Sequence, residues 1–133
     1  MHITQHSDYA LRVLILLSMR DEKLTIAQVA AHFRISQEHL RKVVHRLATL
    51  GYIVTTRGKQ GGFALAKPAM EINVGRVIRD FEPHFDIVEC LARQSHDCAL
   101  LPACGLQGVL RKATDNFLAT LDRYTLADIV PRS

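Results

Sequence analysis

The feature that most restricts the fold is TIAQVAAHFRISQEHLRKVVHRLATLGYI at positions 25–53, two helical patterns separated by a two-residue link. Thr25 is a favourable cap for a short helix over 26–33, in which Ile26, Val29, Ala30 and Phe33 share one face. Arg34 and Ile35 leave room only for a tight turn before Ser36, a second good cap. In the helix that follows, Leu40, Val43, Val44, Leu47 and Leu50 form an inward stripe, while Gln37, Arg41, Lys42, His45, Arg46 and Thr49 occupy the opposite face. Gly51 stands where a helix end favours a left-handed residue. Two strand-like runs, YIVTT at 52–56 and FALA at 63–66, then flank the glycine-rich tip RGKQGG. Helix, link, helix and basic hairpin is the order of a winged helix-turn-helix. Each segment alone is commonplace; the four in sequence point to DNA.

The flanking segments predict how that unit is completed. Residues 4–19 read as a helix that is apolar on nearly every side, with Tyr9, Ala10, Leu11, Val13, Leu14, Ile15, Leu16 and Leu17. Such a helix needs cover on every side, and a second copy of the chain is expected to supply part of it. Asn73 can cap a short helix over 74–81. A long helix over 103–124 carries Leu106, Val109, Leu110, Ala113, Phe117, Leu121 and Tyr124 at spacings of three and four. Residues 1–67 are expected to close a core of their own, leaving that stripe for a dimer partner. The expected fold is therefore mainly α: a winged helix-turn-helix with a two-stranded wing and a long C-terminal dimerisation helix. Residues 1–67 form the DNA-binding domain in this reading, and 68–133 the cysteine loop and dimerisation helix.

Charge and hydropathy narrow the function. Residues 1–67 hold ten Lys/Arg against four Asp/Glu, whereas 68–133 hold seven against nine. A basic first half, with five of the seven histidines added, suits a polyanion partner. The apolar run VLILL at 13–17 is too short for a membrane span and has no cleavage site after it, so a cytoplasmic location and no membrane partner are expected. No glycine-rich phosphate loop, paired catalytic carboxylates or oxyanion motif is present, so an enzyme is not expected. On DNA, a recognition helix enters the major groove N-terminus first. Ser36 and Gln37 at its start would meet base edges and phosphates, and Arg41 and His45 bases or phosphates. Lys42 and Arg46 would meet phosphates, and Arg57 and Lys59 of the wing the minor groove or its backbone. Glu38 on the same helix would repel a phosphate it faced.

All three cysteines, Cys90, Cys98 and Cys104, fall within ECLARQSHDCALLPACG at 89–105, with a C-x7-C-x5-C spacing. This lacks both the paired C-x2-C knuckles of zinc fingers and the C-x-x-C of dithiol oxidoreductases. Three thiols gathered in a reducing compartment favour a metal centre, an iron–sulfur cluster before zinc, with free redox-active thiols as the third possibility. A four-ligand site still needs one more donor. His84, Glu89, His96 and Asp97 lie near the cysteines in sequence and each offers one.

Several segments resemble the bacterial family of cluster-binding winged-helix repressors. SDYALRVL at 7–14 resembles the family's opening helix, RGKQGGFALAKP at 57–68 its wing, and IRDFEP at 78–83 the segment before its cysteines. PACGLQ at 102–107 and LDRYTLADIV at 121–130 are especially similar to its nitric-oxide-sensing NsrR branch. The resemblance implies a homodimer on a palindromic DNA operator, with a cluster held by Cys90, Cys98 and Cys104 of each subunit. Gln107 stands where another branch places a histidine ligand, which favours 4Fe–4S over 2Fe–2S. The NsrR branch implies that the fourth ligand can be the partner's Asp8, a residue that also suits the positive end of its own helix. The implied activity is a repressor that leaves DNA when nitric oxide damages its cluster. An iron- or redox-responsive regulator with a different cluster or free thiols, and a zinc-stabilised DNA-binding protein, are the alternatives.

Overall fold

Helix α1 (Gln5–Arg20) is the element around which the computed structural model is organised, and residues 1–88, 91, 99–100 and 104–131 are described. Thr4 caps it, its Oγ1 accepting from Ser7 N. Ala10, Val13, Leu14, Leu16 and Leu17 are buried, and Ser7 is the one buried polar residue among the described residues. A face predicted to wait for a second subunit is narrower than expected. Asp8, Leu11, Arg12 and Ile15 form only a half-covered strip, because the chain's own later segments wrap the rest.

The helix pair forms as its caps dictate. In α2 (Ile26–Phe33) Thr25 and Gln28 make a reciprocal capping box, with Thr25 N donating to Gln28 Oε1 at 2.9 Å and Gln28 N to Thr25 Oγ1 at 3.2 Å. Arg34 ends α2 at a left-handed φ of 57°, which makes the link tight enough to cross the two helices. Ser36 then caps α3 (Gln37–Thr49), which buries Leu40, Val43, Val44 and Leu47. Leu50 was expected in that stripe but is exposed, since it lies past the last helical turn. Strands β1 (Ile53–Thr56) and β2 (Gly62–Leu65) pair antiparallel, with Ile53 opposite Leu65 and Thr56 opposite Gly62. A bridge between Leu24 and Phe63 moors this wing to the start of α2. There Gly62 lies so close that a Cβ would stand 2.7 Å from the Leu24 carbonyl oxygen.

Beyond Lys67 come a 3-10 turn (Ala69–Glu71), α4 (Val74–Phe81, capped by Asn73), α5 (Gly105–Leu121) and α6 (Leu126–Ile129). Ile72, Val77, Phe81 and Leu126 join the same apolar cluster as Leu14, Val43 and Ile53. Residues 1–67 therefore do not close a core alone: α4 and α6 pack on α1 and complete it. Helix α5 behaves differently. Only Leu118 of its seventeen residues is buried, while Leu106 is 61%, Val109 64% and Phe117 37% exposed. Its C-terminal end is fastened to α4, where Arg79 pairs with Asp122 at 2.6 Å and Asn73 Nδ2 donates to the Asp122 carbonyl at 2.8 Å. Among the described residues, no helix is long and apolar enough to cross a membrane.

Candidate nucleic-acid interface and metal centre

One face of α3 presents Gln37, Arg41, Lys42, His45 and Arg46, all exposed, because the opposite stripe is consumed by the core. Ser36 spends an acceptor on its cap, receiving His39 N at 3.3 Å, and among the described residues its hydroxyl donates to no partner. Arg57 and Lys59 project from the exposed wing tip. Arg41, Lys42, Arg57 and Lys59 form no salt bridge among the described residues, so their charge is available to an incoming polyanion, and the exposed His45 ring adds nitrogens that can hydrogen-bond. Arg46 differs from these. Its Nη2 donates to the Asp80 carbonyl at 2.7 Å, and its guanidinium lies 5.5 Å from the Phe81 ring centroid. The helix turn places Arg46 against the end of α4 rather than among the open cations, a contact that its spacing within α3 alone could not reveal.

The N-terminus of α1 borders the same surface. The His39 ring lies 4.9 Å from that of Tyr9 and 5.4 Å from that of His6. Burial lowers the His6 pKa, and the nearby His39, Arg46 and Lys42 lower it further by repulsion. Asp8, the candidate fourth ligand, sits in the fork of Arg12, whose Nε and Nη2 each donate to its carboxylate at 3.0 Å. That guanidinium is 5.5 Å from the Tyr9 ring and 5.8 Å from the Phe33 ring, and so reaches from α1 to α2. Arg12 was missed, although its four-residue separation from Asp8 is readable from the sequence. Arg34, also missed, is exposed at the turn immediately before α3 and adds a cation to that edge.

Of the three candidate thiol ligands, Cys90 and Cys98 lie outside the described residues, as do Glu89, His96 and Asp97. Cys104 occupies the N-cap position of α5 as a free, half-buried thiol, and its side chain makes no capping bond. Among the described residues its sulfur has no partner, and a thiol at the head of α5 has donor chemistry that fits an iron–sulfur centre. His84 is partly engaged, with Nδ1 accepting from Asp86 N at 3.2 Å. Among the described residues no group of three or more His, Cys, Asp or Glu converges as a metal site.

A third missed residue is Glu82, which precedes Pro83 at the entrance to the cysteine segment. Its carboxylate accepts from Thr4 N at 3.0 Å, from Thr4 Oγ1 at 2.6 Å and from the Ser7 hydroxyl. Burial raises its pKa, but these donors outweigh burial and hold the carboxyl below its usual range. The sequence signalled Glu82 only as part of IRDFEP.

Comparison with known proteins agrees with this geometry. The family described as "Rrf2: Iron-dependent Transcriptional regulator" matches residues 3–132. A regulator named NsrR from Geobacillus kaustophilus is 46% identical over 132 residues, covering 98% of this chain and 90% of that protein. Its namesake from Bacillus subtilis is 45% identical with the same coverage. Among solved structures, oxidised CymR of Staphylococcus aureus superposes with a TM-score of 0.80 at 24% identity, covering 100% of this chain and 98% of that one. IscR of T. potens gives 0.74 at 22%, covering 97% and 85%; both likenesses establish the fold.

Proposed function

This chain belongs to the Rrf2 family, a DNA-binding transcriptional repressor similar to NsrR and not an enzyme, and from that premise we propose a cluster-gated switch. It acts in the cytoplasm as a homodimer on a palindromic operator, and it releases DNA when nitric oxide damages the cluster. Residues 1–67 grip the operator, and 68–133 hold the cluster and the dimer. Ser36, Gln37, Arg41 and His45 reach base edges or phosphates, Lys42 grips phosphate, and Arg57 and Lys59 follow the minor groove. Cys90, Cys98 and Cys104 hold a 4Fe–4S cluster in preference to 2Fe–2S, with the partner's Asp8 as fourth ligand. When bound, the cluster supplies a centre that reacts with nitric oxide.

The observation that carries the reading is the placement of Cys104 at the start of α5, the helix that leaves its apolar face bare. A ligand there joins the cysteine segment directly to the surface that would meet the partner. Two recognition helices read two half-sites only if the dimer holds them at the operator's spacing. A change that alters how α5 leaves Cys104 therefore reaches DNA affinity, and a coupling of about 1–3 kcal/mol gives roughly 5- to 150-fold.

The test is operator affinity of protein purified without oxygen, measured by fluorescence anisotropy alongside its visible absorption through a nitric oxide titration. The expected result is a broad visible band that bleaches together with the loss of binding. A colourless protein that binds equally well before and after nitric oxide sinks the proposal. The Asp8–Arg12 fork favours one competing reading, in which Asp8 stays an ion-pair partner and the thiols answer to iron or oxidation with a different cluster, zinc or none. Metal and sulfide content separates these.

A further inference from the structure

Three consecutive residues at the end of α4, Asp80, Phe81 and Glu82, between them fasten three other parts of the fold. Asp80 receives the Tyr52 hydroxyl on its carboxylate at 2.5 Å and Arg46 Nη2 on its carbonyl at 2.7 Å. Phe81 is buried in the shared core and offers its ring to the Arg46 guanidinium. Glu82 clamps Thr4 and Ser7 at the head of α1. The recognition helix, the root of the wing and the first helix thus all meet residues 80–82, a short distance before Cys90 in the chain.

From this geometry we propose that Arg46 is a positioning residue that couples the cysteine segment to the recognition helix, and not one of the phosphate grips. The inference rests on the reading that the cysteine segment holds a cluster. Arg46 spends one donor on the Asp80 carbonyl and lies against the Phe81 ring, and swinging its guanidinium outward to a phosphate would loosen both contacts. Arg41 and Lys42 surrender nothing, as they make no ion pair among the described residues. A movement of α4's end is transmitted by the Arg46 side chain to the last turn of α3 and by Tyr52 to β1. Tyr52 is well placed for this, because its ring is buried and Lys67 covers it at 5.2 Å. The two contacts act in parallel on the two halves of the DNA-reading surface, the helix and the wing.

Phosphate grip and coupling strut predict different observables. Removing a phosphate contact lowers the slope of log affinity against log salt by about 0.9, with or without a cluster. Removing a strut leaves that slope alone and shrinks the ratio of operator affinities between cluster-loaded and cluster-free protein. The experiment measures both quantities for wild type, Arg46→Ala and Tyr52→Phe. Expected for Arg46→Ala is a wild-type salt slope in the cluster-free protein and an affinity ratio that falls toward 1. Tyr52→Phe, which removes no charge, is expected to lower the ratio in the same direction. A slope reduced by about 0.9 in Arg46→Ala with the ratio preserved overturns the proposal, as does an unchanged ratio in both variants. A wild-type ratio of 1 instead removes the cluster-gated reading. The slope then judges Arg46 alone: a fall of about 0.9 overturns the strut, and weakened binding at constant slope supports it.

Discussion

Replacing Gly75 by alanine sets helix propensity against packing, and the structure says which wins. Gly75 is the second residue of α4, where alanine ordinarily gains up to about 1 kcal/mol over glycine. Here an added Cβ would stand 1.9 Å from Asp122 Oδ1, 2.8 Å from Asp122 N and 2.9 Å from its Cα. The carboxylate can rotate away, but the backbone atoms cannot, so the end of α5 must withdraw by roughly half an ångström or more. That displacement strains the Asn73–Asp122 bond at 2.8 Å, Val74 N to the Tyr124 carbonyl at 2.9 Å and Leu126 N to the Ile72 carbonyl at 2.7 Å. It also loosens buried Leu126. The partly exposed Arg79–Asp122 pair adds little to the cost, since such pairs contribute about 0–1 kcal/mol. Overpacking of this kind costs about 1–3 kcal/mol, which exceeds the propensity gain, and full detachment of the segment is the upper limit. The assay is urea denaturation followed by circular dichroism at one fixed protein concentration. Gly108→Ala serves as the control, because a Cβ there meets nothing within 4 Å. The two substitutions are expected to have opposite signs, Gly75→Ala lowering the midpoint and Gly108→Ala holding or raising it. A Gly75→Ala midpoint at or above wild type refutes the close-approach argument.

Three further outcomes are expected. Glu82→Gln removes a charge-assisted acceptor for three donors and is expected to cost about 1–3 kcal/mol at pH 7. Because the folded carboxyl lies below its usual value, its stabilisation is complete above the unfolded value of about 4.3 and is lost as pH falls through the folded one. Urea midpoints of wild type and variant should therefore converge in acid, and a gap that stays constant down to pH 3 contradicts the clamp. Arg57→Ala is expected to weaken operator and random DNA alike and to reduce the salt slope by about 0.9; a loss confined to one operator sequence would assign it base readout instead. Serine at both Val109 and Phe117 is expected to raise the dimer dissociation constant at least tenfold, as about 1.5–3 kcal/mol accompanies each large apolar side chain buried. Sedimentation velocity that shows wild-type self-association for this double variant removes α5 from the interface.

The parts of the fold legible in the sequence are those set locally. Thr25, Ser36 and Asn73 mark helix starts because a side-chain oxygen close to an unpaired N–H is a local event, and all three caps form. The wing's strands were legible from two short β-prone runs around glycines, to within a residue at each end. What could not be read depends on distant partners. Leu126, just past the end of the expected dimerisation helix, returns to the core beside Ile72, fifty-four positions earlier in the chain. For the same reason the boundary at Lys67 does not separate two cores. In the candidate site, Arg41 and Arg46 look alike on a helical wheel. Only the arrival of α4 distinguishes the open cation from the one held against Asp80 and Phe81.

Asp8 joins these observations. Its carboxylate was assigned to a cluster across the dimer, and in the single chain it sits bidentate on Arg12. The two roles would conflict if the ion pair were strong. Both side chains are about two-fifths exposed, however, and a pair that open to water contributes at most about 1 kcal/mol, well below what a metal–carboxylate bond in a shared site can supply. Arg12 is thus a weak holder of Asp8, able to keep the carboxylate oriented and to yield it. What Arg12 retains after yielding is its position over Tyr9 and Phe33, the latter on the first helix of the DNA-reading pair. Ligation at Asp8 would change the charge balance beside α2, just as movement of Asp80 would pull on α3. Under the proposed cluster-gated dimer, both helices of the DNA-reading pair would have a route to the cluster: α2 through the carboxylate that one subunit would donate, and α3 through the α4 end of its own subunit. Such a dimer would respond in two places at once. Cutting either route alone should weaken the response without abolishing it.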